Sequence, residues 1–425
     1  MQTGIGKRAA LMRQSVPGSD AHAKNGDIMK LIDPIIQFHS ELQEIRRDIH
    51  AHPELCFEER RTADVIAQKL ADWGIPVLRG MGVTGVVGII KHGGGERAIG
   101  LRADMDALPV QETNTFAHAS THAGKMHACG HDGHTAMLLG AAHYLSQHRN
   151  FDGTIYLIFQ PAEEGGGGAR RMMDDGLFTR CPMDAVFGMH NWPGMAAGAF
   201  GVTPGPMMAS SNEFEVIVRG KGAHAAQPHK GIDPIMVAIQ IAQSWQTIIT
   251  RNKSPLDAAV LSITRINAGS ATNVIPDEAT LVGTVRTFTT PVLDLIEQRM
   301  RAIARHTGEA FDAEIDFRFH RNYPPLINHA GEAAFAAEVL RSVVGAENVD
   351  DKVEPTMGAE DFAFMLQEKP GCYVFIGNGE GRHRAEGHGL GPCNLHNPSY
   401  DFNDDLLPIG ATYWVRLAEA WLRKA

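Results

Sequence analysis

The chain has 425 residues, of which 44% are hydrophobic and 21% charged, and its formal net charge is −10. A chain of this length exceeds the size at which one hydrophobic core usually keeps growing, so we expect two domains. The negative net charge and the scattered lysines and arginines exclude a basic stripe for nucleic acid. No apolar run approaches the roughly 18 residues that a membrane span needs. The composition therefore predicts a globular protein with neither nucleic acid nor membrane as a partner.

Five cysteines, an odd number, are widely spaced in a chain too long to need disulfide staples, which predicts reduced thiols. Residues 1–31 show no hydrophobic period, and this predicts a mobile extension. The apolar run from Ala9 to Met12 is too short for the core of a signal peptide. We therefore expect a cytoplasmic protein.

The first and last parts of the chain alternate helical patterns with short apolar runs. Helices are predicted at 32–50, 61–73 and 135–146, and strands at 83–90, 98–102, 154–159, 185–189 and 372–376. Several runs lack polar alternation, as expected of strands that are buried on both faces. This order predicts an α/β domain, formed by residues 32–210 and 323–425, in which helices flank a central, mostly parallel sheet.

The middle of the chain has a different order of predicted elements. Strands at 213–219, 258–266, 278–287 and 313–319 alternate with helices at 234–250 and 291–305. The order βαββαβ is that of the ferredoxin-like α+β fold, a sheet covered on one face by two helices. We therefore predict an inserted domain that spans residues 211–322, after which the chain returns to the first domain.

Polar side chains follow three of the predicted strands directly. Asp104 comes after one strand, Glu163 and Glu164 after another, and His190 after a third. Ligands of open α/β sheets gather at the carboxyl ends of the strands. These side chains could therefore meet although they are distant in sequence.

A histidine-rich run, His127-Ala-Cys-Gly-His-Asp-Gly-His134, precedes a predicted helix. Within it, Cys129 and His131 lie two residues apart, so in an extended segment their side chains point to the same side. The spacing fits no zinc-finger template. Taken alone, the run is compatible with a metal site or with a solvated loop in which Cys129 is a small buried hydrophobe.

Two adjacent carboxylates, Glu163 and Glu164, follow a strand that Pro161 terminates. Adjacent carboxylates repel each other unless a cation or a proton compensates, although a solvated surface pair needs neither. The four glycines that follow allow the backbone to approach a ligand closely. Neighbouring side chains point in different directions, so one glutamate can bind a metal while the other faces a water molecule.

His190 and His396 complete the set of candidate residues. A single histidine at a strand end is more often a structural hydrogen bonder than a ligand. Together with the thiol, the histidine and the glutamates above, however, these two supply what a two-metal hydrolase needs. Such a site requires ligands for two ions and a free carboxylate base beside the attacking water.

Seven separate motifs occur along the chain: Arg47–Leu55, Leu101–Leu108, His127–His134, Pro161–Gly165, Gly222–Pro228, Asn273–Pro276 and Met357–Phe362. In this order they closely resemble the M20 metallopeptidase family. The similarity is to its amidohydrolase branch, which contains hippurate hydrolases, N-acyl-amino-acid amidohydrolases and plant auxin-conjugate hydrolases. The resemblance covers the chain from residue 32 to its C-terminus and implies a metal-binding catalytic domain with a smaller inserted domain.

The resemblance implies two divalent metal ions per subunit, which could be zinc, manganese, nickel or cobalt. It implies five metal ligands and one general base: Cys129, His131, Glu164, His190 and His396 as ligands, and Glu163 as base. Either Cys129 or His131 could bridge the ions. Arg102 falls where related peptidases place a ligating histidine, so it should not ligate, and Asp104 should orient a ligand histidine.

The inserted domain resembles the lid and dimerisation domain of that family. The resemblance implies that His224, Asn273 and Arg286 contact the substrate carboxylate or the oxyanion, with His224 reaching across a dimer. The alternatives are a simple loop histidine at residue 224 and an outward-facing strand arginine at residue 286. A homodimer, or an oligomer built from dimers through this domain, is expected.

The predicted reaction is hydrolysis of small N-acyl amino acids, either hippurate-like or with acetyl or aryl-acyl groups, to a carboxylate and a free amino acid. One alternative is a dipeptidase or carboxypeptidase that uses the same ligands on a peptide amide. Cys129 and Arg102, which are typical of the amidohydrolase branch, argue against it. The other alternative is a non-catalytic homologue that binds a metal or a ligand, and the presence of every required group argues against that one.

Overall fold

The computed structural model describes residues 29–423. Most of the predicted mobile extension falls on residues 1–28, which lie outside the described residues. Residues 29–31 belong to the folded body, because the Lys30 N–H donates to the Val343 carbonyl at 2.7 Å and Met29 packs against the core. Between residues 29 and 423, none of the helices combines the length and the apolar character that crossing a membrane requires.

The described residues form sixteen strands and eleven α-helices. The strands are β1 Val77–Met81, β2 Gly85–His92, β3 Ala98–Asp104, β4 Gly153–Gln160, β5 Ala185–Pro193, β6 Phe200–Gly201, β7 Gly205–Met208, β8 Ser211–Arg219, β9 Ala223–His224, β10 Ala259–Ala268, β11 Val274–Ile275, β12 Glu278–Thr287, β13 Glu314–Tyr323, β14 Leu326–Asn328, β15 Val349–Asp350 and β16 Gly371–Gly379. The helices are α1 Asp33–Gln37, α2 His39–Ala51, α3 Arg60–Asp72, α4 His131–Gln147, α5 Gly168–Asp174, α6 Leu177–Arg180, α7 Pro234–Thr247, α8 Thr290–Ala310, α9 Ala330–Val344, α10 Ala363–Glu368 and α11 Leu407–Trp421.

The largest sheet has eight strands in the order β1-β2-β4-β3-β5-β16-β6-β15. Its central strands β4, β3, β5 and β16 are parallel to one another. β1 and β2 extend one edge in antiparallel pairing, and β6 pairs antiparallel with β16. A short turn joins β1 to β2 and thereby forces them to run in opposite directions. The predicted α/β class is confirmed, with parallel strands at the centre and antiparallel strands toward the edges.

Helices cover both faces of this sheet. Neighbouring residues on β4, such as Leu157 and Ile158, point into two different hydrophobic cores. Helices α2, α3, α4, α9 and α11 bury one face, and α5, α6 and α10 bury the other. Burial on both faces explains why the apolar runs in the sequence lack polar alternation.

A second sheet has four antiparallel strands in the order β10-β12-β8-β13. Helices α7 and α8 pack on one of its faces around the buried Trp245, whose indole N–H donates to the Met300 carbonyl at 3.0 Å. The strand order matches the ferredoxin-like arrangement that the order βαββαβ predicts. Because this sheet has a hydrophobic core of its own, we propose that residues 211–322 form a domain inserted between residues 32–210 and 323–425.

Two chain segments that lie side by side connect the two sheets. On one side β7 leads into β8, and on the other β13 leads into β14. β7 and β14 pair antiparallel, with Leu326 opposite Met208. At the end of β13, Tyr323 pairs with Ser211 of β8. The junction between the sheets is therefore a paired, hydrogen-bonded structure.

The helix that follows the histidine-rich run begins earlier than predicted. α4 starts at His131 because Gly130, with φ +91°, ends the extended segment in the left-handed region. A Cβ at residue 130 would also lie 2.3 Å from Asn191 Nδ2, so no side chain fits there. Cys129 and His131 therefore do not share one extended segment, so the same-side geometry of a strand does not apply to this pair. The first turn of α4 instead carries His131 and His134.

Candidate metal centre

Three neighbouring strands of the large sheet end at one place. Asp104 is the last residue of β3, Glu163 and Glu164 lie in the turn directly after β4, and His190 lies near the end of β5. Because β4, β3 and β5 are adjacent and parallel, their carboxyl ends lie side by side. The sheet topology thus brings these four side chains together.

Three further candidate residues reach the same edge from other elements. Cys129 and His131 flank the turn at the start of α4, and His396 lies in the loop before α11. The His396 N–H donates to the Ala128 carbonyl at 2.7 Å. Its φ of +61° is unusual for a residue with a side chain, so the surrounding structure holds this histidine in a strained position.

The five predicted metal ligands form a chain of close contacts. Cys129 Sγ lies 3.4 Å from His190 Nε2. Glu164 Oε1 lies 4.0 Å from His131 Nε2 and 3.2 Å from His396 Nε2. One donor atom each from Cys129, His131 and Glu164 lies within 4.8 Å of the other two. Thiolate, imidazole and carboxylate donors at this spacing are suited to divalent transition-metal ions.

Hydrogen bonds on the far side of each ring turn two of the histidines toward the cluster. His131 Nδ1 lies 2.9 Å from the Asp106 carbonyl oxygen, and His190 Nδ1 lies 2.7 Å from the Asn191 carbonyl oxygen. A carbonyl oxygen only accepts, so Nδ1 carries the hydrogen in both rings and Nε2 is the atom that faces the cluster. The buried Nε2 of His131 has no hydrogen-bond partner among residues 29–423. A metal ion at this place would satisfy it.

The cluster holds more carboxyl groups than cationic side chains. Six carboxyl groups lie in it or beside it: Asp104, Asp106, Glu163, Glu164, Glu360 and Asp361. The guanidinium of Arg102 is buried among them. Arg102 and the His131 ring cannot balance all six carboxyl groups in their charged form, so the residues present fit a pair of divalent ions.

The ligand side chains hold protons that a cation would displace. Burial opposes a positive charge on His131, but Asp104 and Asp106 outweigh it and raise the pKa of this ring to about 10. Burial, followed by the charges of Glu164 and Glu163, raises the pKa of the Cys129 thiol well above its usual value. Binding of a metal ion to these atoms should therefore release protons.

Two aspartates near the end of β3 contact different histidines. Asp106 Oδ1 lies 3.2 Å from His131 Nδ1, whereas Asp104 Oδ1 lies 2.6 Å from His134 Nδ1. The other nitrogen of His134 accepts from the Asn191 N–H at 2.9 Å, so this ring has no free nitrogen for a metal. Asp104, which the sequence predicts to orient a ligand histidine, hydrogen-bonds His134, and its other oxygen lies 3.7 Å from His131 Nε2, so its predicted role stays a prediction. The carboxylate on the far side of His131 is Asp106.

Arg102 is fully buried and donates only to side-chain acceptors. Its partners are Asp104, Gln160, Glu360 and Asp361, at 2.8 to 3.2 Å. A guanidinium that donates in this way does not ligate a cation. Glu360 also accepts from the Tyr373 hydroxyl, which fixes its carboxylate within 4.8 Å of Glu163.

Glu163 lies in a turn whose backbone is fixed by acidic side chains. Ala162, in the left-handed region at φ +54°, donates its N–H to Glu59 Oε1 at 2.8 Å. On the other side, the Glu164 N–H donates to Asp106 Oδ2 at 3.0 Å. Burial and the neighbouring carboxylates raise the pKa of Glu163 well above its ordinary value. A carboxylate with a raised pKa is suited to take up a proton and return it.

A cavity of about 540 Å³ opens onto the cluster. It is lined by most of the predicted site residues, namely Cys129, Glu163, Glu164, His190 and His396. Arg286 reaches the same cavity from β12 of the inserted sheet and gives its wall a permanent positive charge. Apolar side chains of Trp192, Met208, Met357 and Leu395 line other parts of the wall.

Two of the predicted substrate contacts lie elsewhere. His224 is an exposed residue of β9, and Asn273 is an exposed residue that directly precedes β11, the strand paired with β9. Neither residue lines the cavity described above. Their predicted roles at the substrate stay predictions.

Sequence reasoning missed several residues of the site. The sequence contains a signal for Asp106, because this residue lies two positions beyond Asp104 and therefore on the same side of an extended segment. His134 also had one, because it follows His131 at the i,i+3 spacing that brings helical side chains together. Trp192 had the same signal as Asp106, because it lies two residues beyond His190 on β5. Glu360 lies within the motif Met357–Phe362, but nothing in its spacing from the other candidates places it at the site.

Comparisons with known proteins point to the same chemistry. The model of peptidase family M20/M25/M40 matches residues 100–420. Hippurate hydrolase of Campylobacter jejuni is 42% identical over 395 residues, which cover 93% of this chain and 100% of that protein. The chain belongs to this family.

Further known proteins resemble the chain over nearly its whole length. N-acetylcysteine deacetylase of Bacillus subtilis is 39% identical over 383 residues, 90% of this chain and 97% of that protein. Among solved structures, the YXEP protein of Bacillus subtilis, described as a dinuclear metal binding peptidase from the M20 family, is 35% identical with a TM-score of 0.78. That match covers 92% of this chain and 100% of the other. The chain is accordingly a metal-dependent amidohydrolase.

Replacing Asp106 by Asn tests the role of this carboxylate behind His131. We expect metal affinity to fall about 10- to 100-fold, because the amide no longer anchors both the His131 ring and the Glu164 N–H. Zinc affinity is measured by competition with a chelating dye, and Asp72→Asn, a change at an exposed helix position, is the control. Wild-type affinity in Asp106→Asn would contradict this role.

Proposed function

We propose that this family member hydrolyses N-acyl amino acids, with an acetyl or an aryl-acyl group, to a carboxylate and a free amino acid. The observation that carries the proposal is the shared cavity, whose wall combines the Cys/His/Glu cluster, Glu163 and Arg286. The cavity therefore places the groups that act on an amide beside the guanidinium of Arg286, which can bind a free carboxylate. The names of the hippurate hydrolase and N-acetylcysteine deacetylase relatives support this substrate class.

Five side chains would hold the metal pair: Cys129, His131, Glu164, His190 and His396. When bound, such ions polarise an amide carbonyl and lower the pKa of a water molecule. The unpaired Nε2 of His131 and the excess of carboxylates support cations at this place. The thiolate favours zinc, whereas imidazole and carboxylate ligands also accept manganese, nickel or cobalt.

Glu163 takes a proton from the attacking water and returns it to the leaving nitrogen. Its raised pKa, caused by burial and by neighbouring carboxylates, makes the protonated form accessible for the second transfer. Glu59 and Asp106 hold the backbone on both sides of it, so the carboxylate is presented to the cavity in one position. A carboxylate that is already held in one position loses less conformational entropy on reaching the reactive geometry, and this lowers the activation free energy.

Arg286 binds the carboxylate of the amino-acid part of the substrate. A guanidinium suits this task because its parallel N–H donors match the two oxygens of a carboxylate. The apolar side chains of Trp192, Met208 and Leu395 receive the acyl group. A molecule with an apolar acyl group at one end and a free carboxylate at the other would satisfy both parts of the wall.

His224 and Asn273 act from a second subunit in this proposal. Both lie on the exposed surface of the β9–β11 pair, where the Ala225 N–H donates to the Asn273 carbonyl at 3.0 Å. We propose a homodimer formed through the inserted domain, in which this surface completes the oxyanion site of the other copy.

A substrate panel separates the proposed function from its alternatives. Protein loaded with zinc, manganese, nickel or cobalt is assayed on acetyl-, benzoyl- and aminoacyl-amino acids, and the released amino acid is measured. We expect kcat/KM for the best N-acyl amino acid to exceed that for any dipeptide by about tenfold or more. A preference for dipeptides would favour the peptidase, and no hydrolysis by any metal-replete form would favour a non-catalytic homologue.

Replacing Glu163 by Gln should abolish most turnover and leave metal binding intact. We expect kcat to fall about 10²- to 10⁴-fold, because the amide cannot transfer the proton, while the ligand set is unchanged. Steady-state kinetics and metal content by plasma emission are measured together, with the exposed Glu338→Gln as control. Full activity in Glu163→Gln would remove the base assignment.

Replacing Arg286 by Met should weaken recognition of the substrate carboxylate. We expect KM for an N-acyl amino acid to rise about 10- to 100-fold, because a charge-assisted hydrogen bond is lost. The corresponding N-acyl amino-acid amide has no carboxylate and should be nearly unaffected. Arg265→Met, at an exposed position of β10, is the matched control. An equal loss on acid and amide substrates would argue against carboxylate recognition.

A further inference from the structure

One side chain links the junction of the two sheets to the turn that carries Glu163. Tyr323 is the last residue of β13, where the chain leaves the inserted sheet. Its hydroxyl donates to the Glu163 carbonyl at 2.8 Å and accepts from the Gly167 N–H at 3.1 Å. One phenol therefore bridges the beginning and the end of this turn.

The bridge is buried and lies beside the reacting groups. Tyr323 is 8% exposed and lines the same cavity as Glu163 and Arg286. Burial and the charges of Asp361 and Glu163 raise the pKa of the phenol, so it remains protonated and able to donate. The hydrogen bond to the Glu163 carbonyl is buried, so removing its donor has a cost in free energy.

The position of Tyr323 in the fold distinguishes it from the other anchors of this turn. Glu59, Asp106 and Asp361 accept from backbone N–H groups of the turn and of the start of α5, and none of the three lies on a strand of the four-stranded sheet. Tyr323 stands at the boundary of the two proposed domains, as the last residue of β13 in that sheet. Tyr323 instead pairs across the sheet with Ser211, the first residue of β8. These two residues mark the places where the chain enters and leaves the inserted sheet.

The turn itself has little stiffness of its own. Residues 165–168 are all glycine, and Gly165 and Gly167 have φ of +99° and +67°. Such a segment has many accessible backbone conformations once its hydrogen bonds are removed. The position of Glu163 therefore depends on hydrogen bonds that side chains of other elements make to the backbone of the turn.

We propose that Tyr323 is a positioning residue that ties the placement of Glu163 to the inserted domain. Through its two hydrogen bonds, a shift of β13 relative to the large sheet moves the backbone of the turn and with it the base. The kinetic part of this inference rests on the proposed function, since it takes Glu163 as the base. The structural part, in which Tyr323 restrains the backbone of residues 163–167 through two hydrogen bonds, does not rest on the proposed function.

The test is Tyr323→Phe, which keeps the ring and removes the hydroxyl. We expect hydrogen exchange in a peptide covering residues 161–169 to accelerate about tenfold or more, while peptides from β13 and β16 keep wild-type protection. We expect kcat on the best N-acyl amino acid to fall about 10- to 100-fold with KM within about threefold, because only the base is displaced. Zinc content should remain that of the wild type, because no metal ligand is changed.

Tyr413→Phe is the matched control, because the Tyr413 hydroxyl is buried in α11 without a hydrogen-bond partner in the described residues. It should alter neither readout. Wild-type exchange at 161–169 in Tyr323→Phe would overturn the proposal, and so would faster exchange with unchanged kcat. If the wild type hydrolyses no N-acyl amino acid, the proposed function fails, and the exchange measurement alone decides whether Tyr323 holds the turn.

Discussion

The site depends on an imbalance of charge at the carboxyl ends of three parallel strands. Carboxylates from β3, from the turn after β4 and from the segment before α10 converge there, together with a thiol. Buried charges of one sign repel strongly unless a partner of the opposite sign is present. We propose that a pair of divalent cations compensates these groups and supplies the chemistry of the reaction.

Arg102 divides the acidic side chains into two groups. It donates to Asp104, Glu360 and Asp361 and so compensates the part of the cluster that faces the sheet. Glu164 is not among its partners and lies next to the thiol of Cys129 and to His131 Nε2, which has no hydrogen-bond partner among residues 29–423, while Asp106 contacts Nδ1 on the far side of the same ring. The Arg102 guanidinium therefore serves the structure, and in our proposal the metal ions serve the reaction.

The backbone around the base is organised for the same purpose. Ala162 has a left-handed conformation that costs free energy in isolation, and Glu59 holds it through a hydrogen bond. His396 is held in a similarly unusual conformation by the Ala128 carbonyl. Strain at both positions places side chains that a relaxed loop would present in many directions.

Hydrophobic periodicity predicted most of the fold. The strands buried on both faces and the βαββαβ order are local patterns, and the positions of Asp104, Glu163 and His190 after strands follow from them. The start of α4 escaped prediction because it depends on the left-handed φ of Gly130, which packs against Asn191. The residues next to Gly130 in the sequence do not indicate its contact with Asn191.

Which side chains contact each other inside the site was harder to predict than which residues form the site. Asp104 and Asp106 are equivalent in the sequence, and only the placement of α4 decides which histidine each one meets. Tyr323 reaches the cavity through the pairing of distant strands, so no spacing along the chain reveals it. Long-range geometry of this kind is fixed by the assembled sheets.

Anomalous scattering from crystals of the zinc-loaded protein would locate the cations of the proposed site. We expect two ions per chain, each about 2.0–2.3 Å from donor atoms of Cys129, His131, Glu164, His190 or His396, with Glu163 uncoordinated. A single ion, ions bound elsewhere, or direct coordination by Glu163 would contradict the proposal.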